Sequence, residues 1–264
     1  MLRHRILTAV VGLPLLIAII WFGEPWFTIF MTIMAVIGIG EFYRLADGLE
    51  IRPLTYLGVV SVALIMVSPH IPYASTLRVL ISAAIIISLI WLLFLHPRDH
   101  AFTNWAWTIA GILYIGWMLS YWIELRGLDN GRGLVFLAMF TTFASDTGSF
   151  FIGRAWGKHS LAPSISAGKT KEGALGGLVS AVIASIIIAA IFRLPFAYWQ
   201  IVIIGIIISL FAQFGDLVES LLKRNAGVKD AGKLVPGHGG VLDRMDSLIF
   251  TGVIVYYLVE LIKL

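Results

Sequence analysis

The chain alternates between long apolar segments and short polar links. Segments of roughly 20 largely apolar residues are typical of helices that span a membrane. We predict about nine such helices in the 264-residue chain. They cover residues 5–22, 26–45, 54–69, 77–95, 103–124, 133–153, 173–192, 197–222 and 245–263, of which the third is the shortest.

Composition agrees with this pattern. Hydrophobic residues make up 59% of the chain and charged residues 13%, whereas soluble domains contain about half and about a quarter. The predicted fold is an all-α, polytopic integral membrane protein with two long loops, at residues 154–172 and 223–244. We divide it into an N-terminal region of about four spans, residues 1–100, and a C-terminal region of about five, residues 101–264. Because the chain has no cysteine, disulfides, thiolate metal sites and catalytic thiols are excluded.

Basic residues predict the orientation. Most of the 19 Lys and Arg residues fall in alternate links, beginning with the N-terminus. The positive-inside rule therefore places the N-terminus and both long loops in the cytoplasm, in the inner (plasma) membrane of the cell. With nine spans the C-terminus lies outside. We interpret the basic residues as topology signals and as partners for phosphate, so no nucleic-acid partner is expected.

Acidic residues lie in or at the ends of three predicted spans, where charge is costly. Asp146 belongs to the sixth span and Asp216 to the eighth, while Asp243 and Asp246 begin the ninth. We place all four at the cytoplasmic boundary. Converging carboxylates repel one another unless a cation or protons intervene. Oxygen donors without cysteine indicate a hard cation such as Mg²⁺.

Each of these residues also has a simpler interpretation. Asp246 could cap its own helix. Asp216 could pair with Lys223, and Asp146 could be a satisfied polar contact. The four together, each beside a basic glycine-rich loop, favour a functional site.

The two long loops contain groups suited to phosphate. Residues 236–240, Pro-Gly-His-Gly-Gly, precede a helix N-terminus, and glycines allow close approach of the backbone to a ligand. We interpret His238 as a nucleotide or phosphate contact. A flexible turn with interfacial basic residues is the competing reading. The basic and hydroxyl residues available in the loops include Lys158, Ser166, Lys169, Thr170, Lys223, Arg224, Lys229 and Arg244.

These same residues carry a family resemblance. The run from Ser220 to Asp246, SLLKRNAGVKDAGKLVPGHGGVLDRMD, resembles the signature of the phosphatidate cytidylyltransferase (CDP-diacylglycerol synthase) family. The run from Ala144 to Gly173, ASDTGSFFIGRAWGKHSLAPSISAGKTKEG, is similar to the same family. Elsewhere the likeness is only that of generic membrane spans.

The resemblance implies a reaction and a set of roles. CTP and phosphatidate, a membrane lipid, would give CDP-diacylglycerol and pyrophosphate with Mg²⁺, and a second cation such as K⁺ can share the site in this family. Asp216, Asp243 and Asp246 would bind metal, and Asp146, Lys223 and Asp246 would be catalytic. Residues 101–264 would form the catalytic region. Predicted substrate contacts are Lys158, Ser166, Lys169, Thr170, Ser220, Arg224, Lys229, His238, Gly239, Gly240 and Arg244.

Other classes of protein remain alternatives. Intramembrane aspartates also mark ion-coupled transporters, although no internal repeat is visible here. Other lipid-phosphate transferases carry Asp-rich motifs within one helix or on two, whereas this chain spreads its aspartates over three spans. A homodimer is expected from the resemblance alone.

Overall fold

The computed structural model describes residues 2–94, 100–232, 234 and 239–263. Helices make up nearly all of the regular structure in these residues. They are α1 (Leu2–Phe22), α2 (Trp26–Asp47), α3 (Thr55–Val67), α4 (Thr76–Leu92), α5 (Ala101–Gly111), α6 (Met118–Gly127), α7 (Gly131–Trp156), α8 (Lys171–Phe192), α9 (Tyr198–Asn225) and α10 (Leu242–Lys263). A 3₁₀ turn, Ser68–His70, follows α3, and a π-helical segment, Ile112–Trp117, joins α5 to α6.

The helices confirm an all-α polytopic membrane protein. Six helical segments of the described chain are long and apolar enough to cross a membrane: α2, the continuous α5–α6, α7, α8, α9 and α10. Shorter apolar helices cover Val10–Phe22, Thr55–His70 and Thr76–Leu92. Each predicted apolar segment therefore forms a helix within the described residues. Nine membrane crossings stay a prediction, because the apolar stretches Val10–Phe22, Thr55–His70 and Thr76–Leu92 are shorter than a bilayer usually requires.

The loop between α7 and α8 contains a small hairpin that the apolar pattern does not reveal. Strands β1 (Ser160–Ala162) and β2 (Ser166–Thr170) pair antiparallel, with Ser160 opposite Thr170. Thr170 then caps α8, because its hydroxyl accepts the Gly173 N–H at 3.1 Å. The hairpin thus leads directly into the first turn of α8.

The chain forms two compact units. Unit 1 contains residues 1–123 and 225–245, and unit 2 contains residues 124–224 and 246–264. The predicted division at residue 100 is of a different kind, because it separates generic membrane spans from a catalytic region. Packing does not test that division, so it stays a prediction.

Tyr43 on α2 organises the core of unit 1. Its buried hydroxyl donates to the carbonyl of Thr108 on α5 at 2.7 Å. Gly58 on α3 and Gly111 on α5 leave room for its ring, since a Cβ at Gly111 would lie 2.5 Å from the Tyr43 Cε1 atom. Small residues on two helices therefore accept one large aromatic side chain from a third.

Close packing of α7 against α8 organises unit 2. The buried side of α8 has a small residue at every fourth position: Gly173, Gly177, Ala181, Ser185 and Ala189. A Cβ at Gly177 would lie 2.8 Å from the Ser145 carbonyl of α7. Such small-residue contacts let membrane helices approach closely. The opposite side of α8 exposes large apolar residues to lipid: Leu175, Val179, Ile183, Ile187 and Ile191.

Candidate active site

A cavity of about 410 Å³ lies in unit 2, among α7, the β1–β2 hairpin, α8 and α9. Its polar lining includes Asp146, Arg154, Lys169, Thr170 and Asp216. Apolar side chains also contribute to the wall. The remaining lining residues are Ser149, Phe150, Gly153, Leu161, Gly168, Gly173, Ala174 and Gln213.

Local structure explains why these side chains converge. Asp146, Ser149 and Gly153 recur at steps of three and four, so they share one face of α7. Strand β2 delivers Lys169 and Thr170 immediately before α8 begins. The structure therefore brings together Asp146, Lys169, Thr170 and Asp216, four predicted site residues from three separate elements.

A charged contact in the cavity joins Lys169 to Asp216. The Lys169 Nζ atom lies 2.8 Å from Asp216 Oδ1, and the side chains are 22% and 36% exposed. A longer hydrogen bond of 3.5 Å runs from the Ser220 hydroxyl to the same oxygen. Asp216 is thus balanced by a cation whose nitrogen is buried, on a side chain that borders the cavity.

Asp246 extends the acidic cluster of unit 2. The negative charges of Asp216, Glu219 and Asp146 all act on its carboxylate. The next residue, Ser247, donates its hydroxyl to Asp146 Oδ1 at 3.4 Å. Backbones also approach closely here, since a Cβ at Gly215 of α9 would lie 2.5 Å from the Asp246 carbonyl. Carboxylates from α7 and α9 therefore repel the carboxylate of Asp246 at the start of unit 2's part of α10.

This donor set fits a hard divalent cation in its chemistry, because all the donors are carboxylate oxygens. Within the described residues of each unit, no three His, Asp or Glu side chains are arranged to hold a metal ion. In unit 2, Lys169 is bound to one oxygen of Asp216. A cation that used this oxygen would take the place of the ammonium group.

Other predicted site residues have partners within unit 2. Lys223 pairs with the fully buried Glu219 one helical turn before it. The Arg224 Nε–H donates to the carbonyl of Ile165 beside the hairpin at 3.4 Å. These contacts fix both cations near the cytoplasmic end predicted for α9.

Glu172 holds the base of the hairpin. Its carboxylate accepts the backbone N–H groups of Lys158 and His159 at 3.1 and 3.2 Å, and contacts the His159 Nδ1 atom at 2.6 Å. The Lys158 side chain itself is exposed. Ser166 begins β2 opposite Ala162 and is half-buried. Glu172 therefore anchors the segment that carries Lys169 and Thr170.

The start of α10 lies in unit 1 and binds its own loop. The Asp243 carboxylate accepts the N–H of Ala231 at 3.0 Å and that of Gly240 at 2.7 Å. Gly239 has a φ of +87°, a conformation that glycine adopts without strain. Phosphate binding by the Gly240 amide would require it to exchange Asp243 for the ligand, and this role stays a prediction. Lys229 and Arg244 are exposed, and His238 lies outside the described residues.

Glu41 is a buried acidic residue that sequence reasoning missed. It is 3% exposed on α2, and its carboxylate accepts the Leu242 N–H at 2.7 Å. A glutamate inside the predicted span 26–45 is itself a signal, because charge is rare there. Its partner, however, lies 201 positions away in the chain.

Comparison with known proteins identifies the family of the chain. The chain belongs to the cytidylyltransferase family, whose model matches residues 3–262. It is therefore an enzyme of this family as well as an integral membrane protein.

Curated bacterial relatives match nearly the whole chain. A phosphatidate cytidylyltransferase of Bacillus subtilis is 31% identical over 266 residues, covering 98% of each chain. One from Staphylococcus saprophyticus is 34% identical and covers 94% of this chain and 95% of its own. One from Synechocystis is 30% identical and covers 98% and 97%.

Proposed function

We propose that the chain transfers a cytidylyl group from CTP to phosphatidate, producing CDP-diacylglycerol and pyrophosphate. The observation that carries this proposal is the mixed lining of the unit 2 cavity. Lys169, Arg154 and Asp216 provide charge, while Phe150 and Leu161 provide an apolar wall. A lipid that bears a phosphate needs both kinds of surface, and the names of the relatives supply the substrate pair.

The reaction needs no protein nucleophile. A phosphate oxygen of phosphatidate attacks the α-phosphorus of CTP, and the bond from that phosphorus to the oxygen bridging the β-phosphorus breaks. Pyrophosphate leaves with the electron pair of that bond. The protein therefore has to align two polyanions and balance their charge.

Cationic and hydroxyl groups at the cavity fit this task. Lys169 and Thr170 hold phosphate oxygens of CTP or of the lipid, and Arg154 adds positive charge on the same wall. Asp146 orients a substrate group beside them. The phosphate competes with Asp216 for Lys169, because both are anions that one ammonium can bind.

Carboxylates would hold the metal. Asp216 and Asp246 would supply oxygen ligands from unit 2. The role of Asp243 as a metal ligand is implied by the family resemblance and stays a prediction. A bound Mg²⁺ would neutralise the charge that grows on the α-phosphate and on the departing pyrophosphate. The negative charges of Asp146 and Asp216 that act on Asp246 support this assignment.

Purified protein in detergent tests the proposal. With phosphatidate, CTP and Mg²⁺ we expect equal amounts of CDP-diacylglycerol and pyrophosphate. Chelation of Mg²⁺ should abolish both products. Absence of a CDP-lipid, together with cation-driven uptake of CTP into sealed vesicles, would instead identify a transporter.

We also propose that the cavity faces the cytoplasm, where CTP is available. The distribution of Lys and Arg supports this orientation. The natural chain has no cysteine, so single cysteines can be labelled selectively. A membrane-impermeant maleimide added to intact cells should label Asp129→Cys and leave Ser164→Cys unlabelled; the reverse pattern would contradict the orientation.

A further inference from the structure

Glu41 has no part in the chemistry described above, although burying a carboxylate in a membrane helix is costly. A buried charge persists where hydrogen-bond donors compensate for the water it has lost. At 3% exposure, Glu41 is the most deeply placed acidic residue of α2. The hydrogen-bond donor that compensates for its lost water lies at the beginning of α10.

Leu242 supplies that compensation through its backbone. It is the first residue of α10, so its N–H has no acceptor within the helix. Glu41 Oε2 accepts this N–H at 2.7 Å. The N-terminus of a helix is also its positive end, which stabilises a nearby anion. Glu41 thus acts as a cap for α10 that a distant helix provides.

Two glycines let the loop backbone reach the same carboxylate. A Cβ at Gly240 would lie 2.5 Å from Glu41 Oε2, and a Cβ at Gly232 would collide with Oε1. Any larger residue at either position would displace the carboxylate or the loop. The Glu41 carboxylate therefore occupies space that only glycine leaves free at positions 232 and 240.

Asp243 completes the arrangement from the other side. It accepts the N–H groups of Gly240 and Ala231. Gly240 is consequently held between two carboxylates, one from α2 and one from α10. The Glu41 and Asp243 carboxylates therefore bind the first turn of α10 and both described ends of the glycine-rich loop.

We propose that Glu41 is a positioning residue that fixes Gly232, Gly240 and the first turn of α10 through its buried carboxylate. The claim concerns the placement of Gly240 and Asp243, which the sequence predicts to contact nucleotide and metal. Its kinetic consequence rests on the proposed function, whereas its structural consequence does not. The two are measured separately.

Amide hydrogen exchange in detergent or nanodiscs tests the structural part. In Glu41→Ala, the Leu242 amide should exchange about tenfold faster, since its hydrogen bond to a charged group is lost. The Gly240 amide keeps its bond to Asp243 and should be affected less. Glu41→Gln keeps an acceptor oxygen and should remain closer to the native protein. Asp47→Asn removes an exposed carboxylate from the same helix and should change nothing. Native exchange at Leu242 in Glu41→Ala would overturn the proposal.

A pair of substitutions tests the fit between Glu41 and glycine. Gly232→Ala should lower the unfolding temperature, because its Cβ collides with the carboxylate. Adding Glu41→Ala should recover part of that loss, since the colliding atoms are gone. Gly40→Ala, which has no atom within 4 Å of its Cβ, is the matched control. Strictly additive losses would contradict the proposal, and Gly232→Ala remains informative if Glu41→Ala fails to fold.

Steady-state kinetics test the consequence for catalysis. Glu41→Ala should raise the KM for CTP by about tenfold to a hundredfold, as expected of a small misplacement at a binding site. The KM for phosphatidate should stay within about twofold, and Glu41→Gln should restore most of the CTP affinity. An unchanged KM for CTP would overturn the kinetic part. A wild-type protein without CDP-lipid product would refute the proposed function instead, and would leave the exchange result to stand.

Discussion

Glu41 in unit 1 and Asp216 in unit 2 are both acidic residues on membrane helices, yet their surroundings differ. Glu41 is 3% exposed, and a backbone N–H binds it. The Asp216 side chain is 36% exposed, borders a cavity and is bound by the ammonium of a lysine. Backbone donors are fixed by the fold, whereas a lysine side chain can be exchanged for another cation or attracted by a phosphate.

This difference separates positioning from chemistry. A carboxylate enclosed by backbone can hold a helix in place and has no access to substrate. A carboxylate at a cavity, balanced by a lysine side chain, can bind a metal or give up the lysine to a phosphate. Substitution at the two positions should therefore produce different kinds of damage.

The largest effect is expected at Asp216. Asp216→Asn should lower turnover by on the order of 10³-fold while the unfolding temperature stays near that of the native protein, because electrostatic stabilisation is lost and packing is kept. Radiolabelled CTP turnover and thermal unfolding in detergent measure the two quantities. Asp129→Asn, at an exposed aspartate of unit 2, is the control. Full activity in Asp216→Asn would contradict the assignment of chemistry to Asp216 and of positioning to Glu41.

A smaller loss is expected at Lys169. Lys169→Gln should reduce kcat/KM by about tenfold to a hundredfold, the range for a hydrogen bond to a charged group. Lys171→Gln, at an exposed neighbouring lysine, should have little effect. Since Lys169 and Asp216 act as one pair, the double variant should be little worse than Asp216→Asn alone. Fully multiplicative losses would show that the two residues act independently.

Packing behind the cavity should affect stability more than chemistry. A Cβ at Gly177 would press on the Ser145 carbonyl at 2.8 Å. Gly177→Ala should therefore destabilise the protein by about 1–3 kcal/mol, as overpacking does. Gly127→Ala, with nothing within 4 Å of its Cβ, is the control for thermal unfolding. Equal stability of the two variants would contradict the close contact of α7 and α8.

The smallest effect concerns a buried polar contact between α7 and α9. The hydroxyls of Ser145 and Ser209 lie 2.8 Å apart. A double-mutant cycle with Ser145→Ala and Ser209→Ala should give a coupling of about 0.6 kcal/mol, typical of hydrogen bonds between membrane helices. A coupling indistinguishable from zero would mean that this contact contributes only shape.

Periodicity and length predicted the helices well, because a membrane segment must satisfy its own backbone hydrogen bonds. The predicted segment 133–153 became Gly131–Trp156, and 197–222 became Tyr198–Asn225. The helices extend past the prediction because Arg132, Arg154 and Arg224 are tolerated at helix ends near the membrane surface. Spacing on α7 also predicted that Asp146 and Ser149 share a face.

Contacts between distant residues could not be predicted in this way. The hairpin was missed because β1 and β2 are too short to show an alternating pattern. The pair formed by Lys169 and Asp216, and the cap that Glu41 provides for Leu242, depend on tertiary packing. The apolar pattern of one segment predicts which face of its helix is buried. It does not predict which polar residue of another segment will contact that face.

The fate of labelled phosphorus tests the proposed reaction most directly. Wild-type protein is incubated with phosphatidate and CTP carrying ³²P at either the α- or the γ-position. Attack of the lipid phosphate on the α-phosphorus predicts that α-label enters the lipid product, while γ-label leaves entirely as pyrophosphate. Label from the γ-position in the lipid, or no labelled lipid from α-labelled CTP, would contradict cytidylyl transfer by this protein.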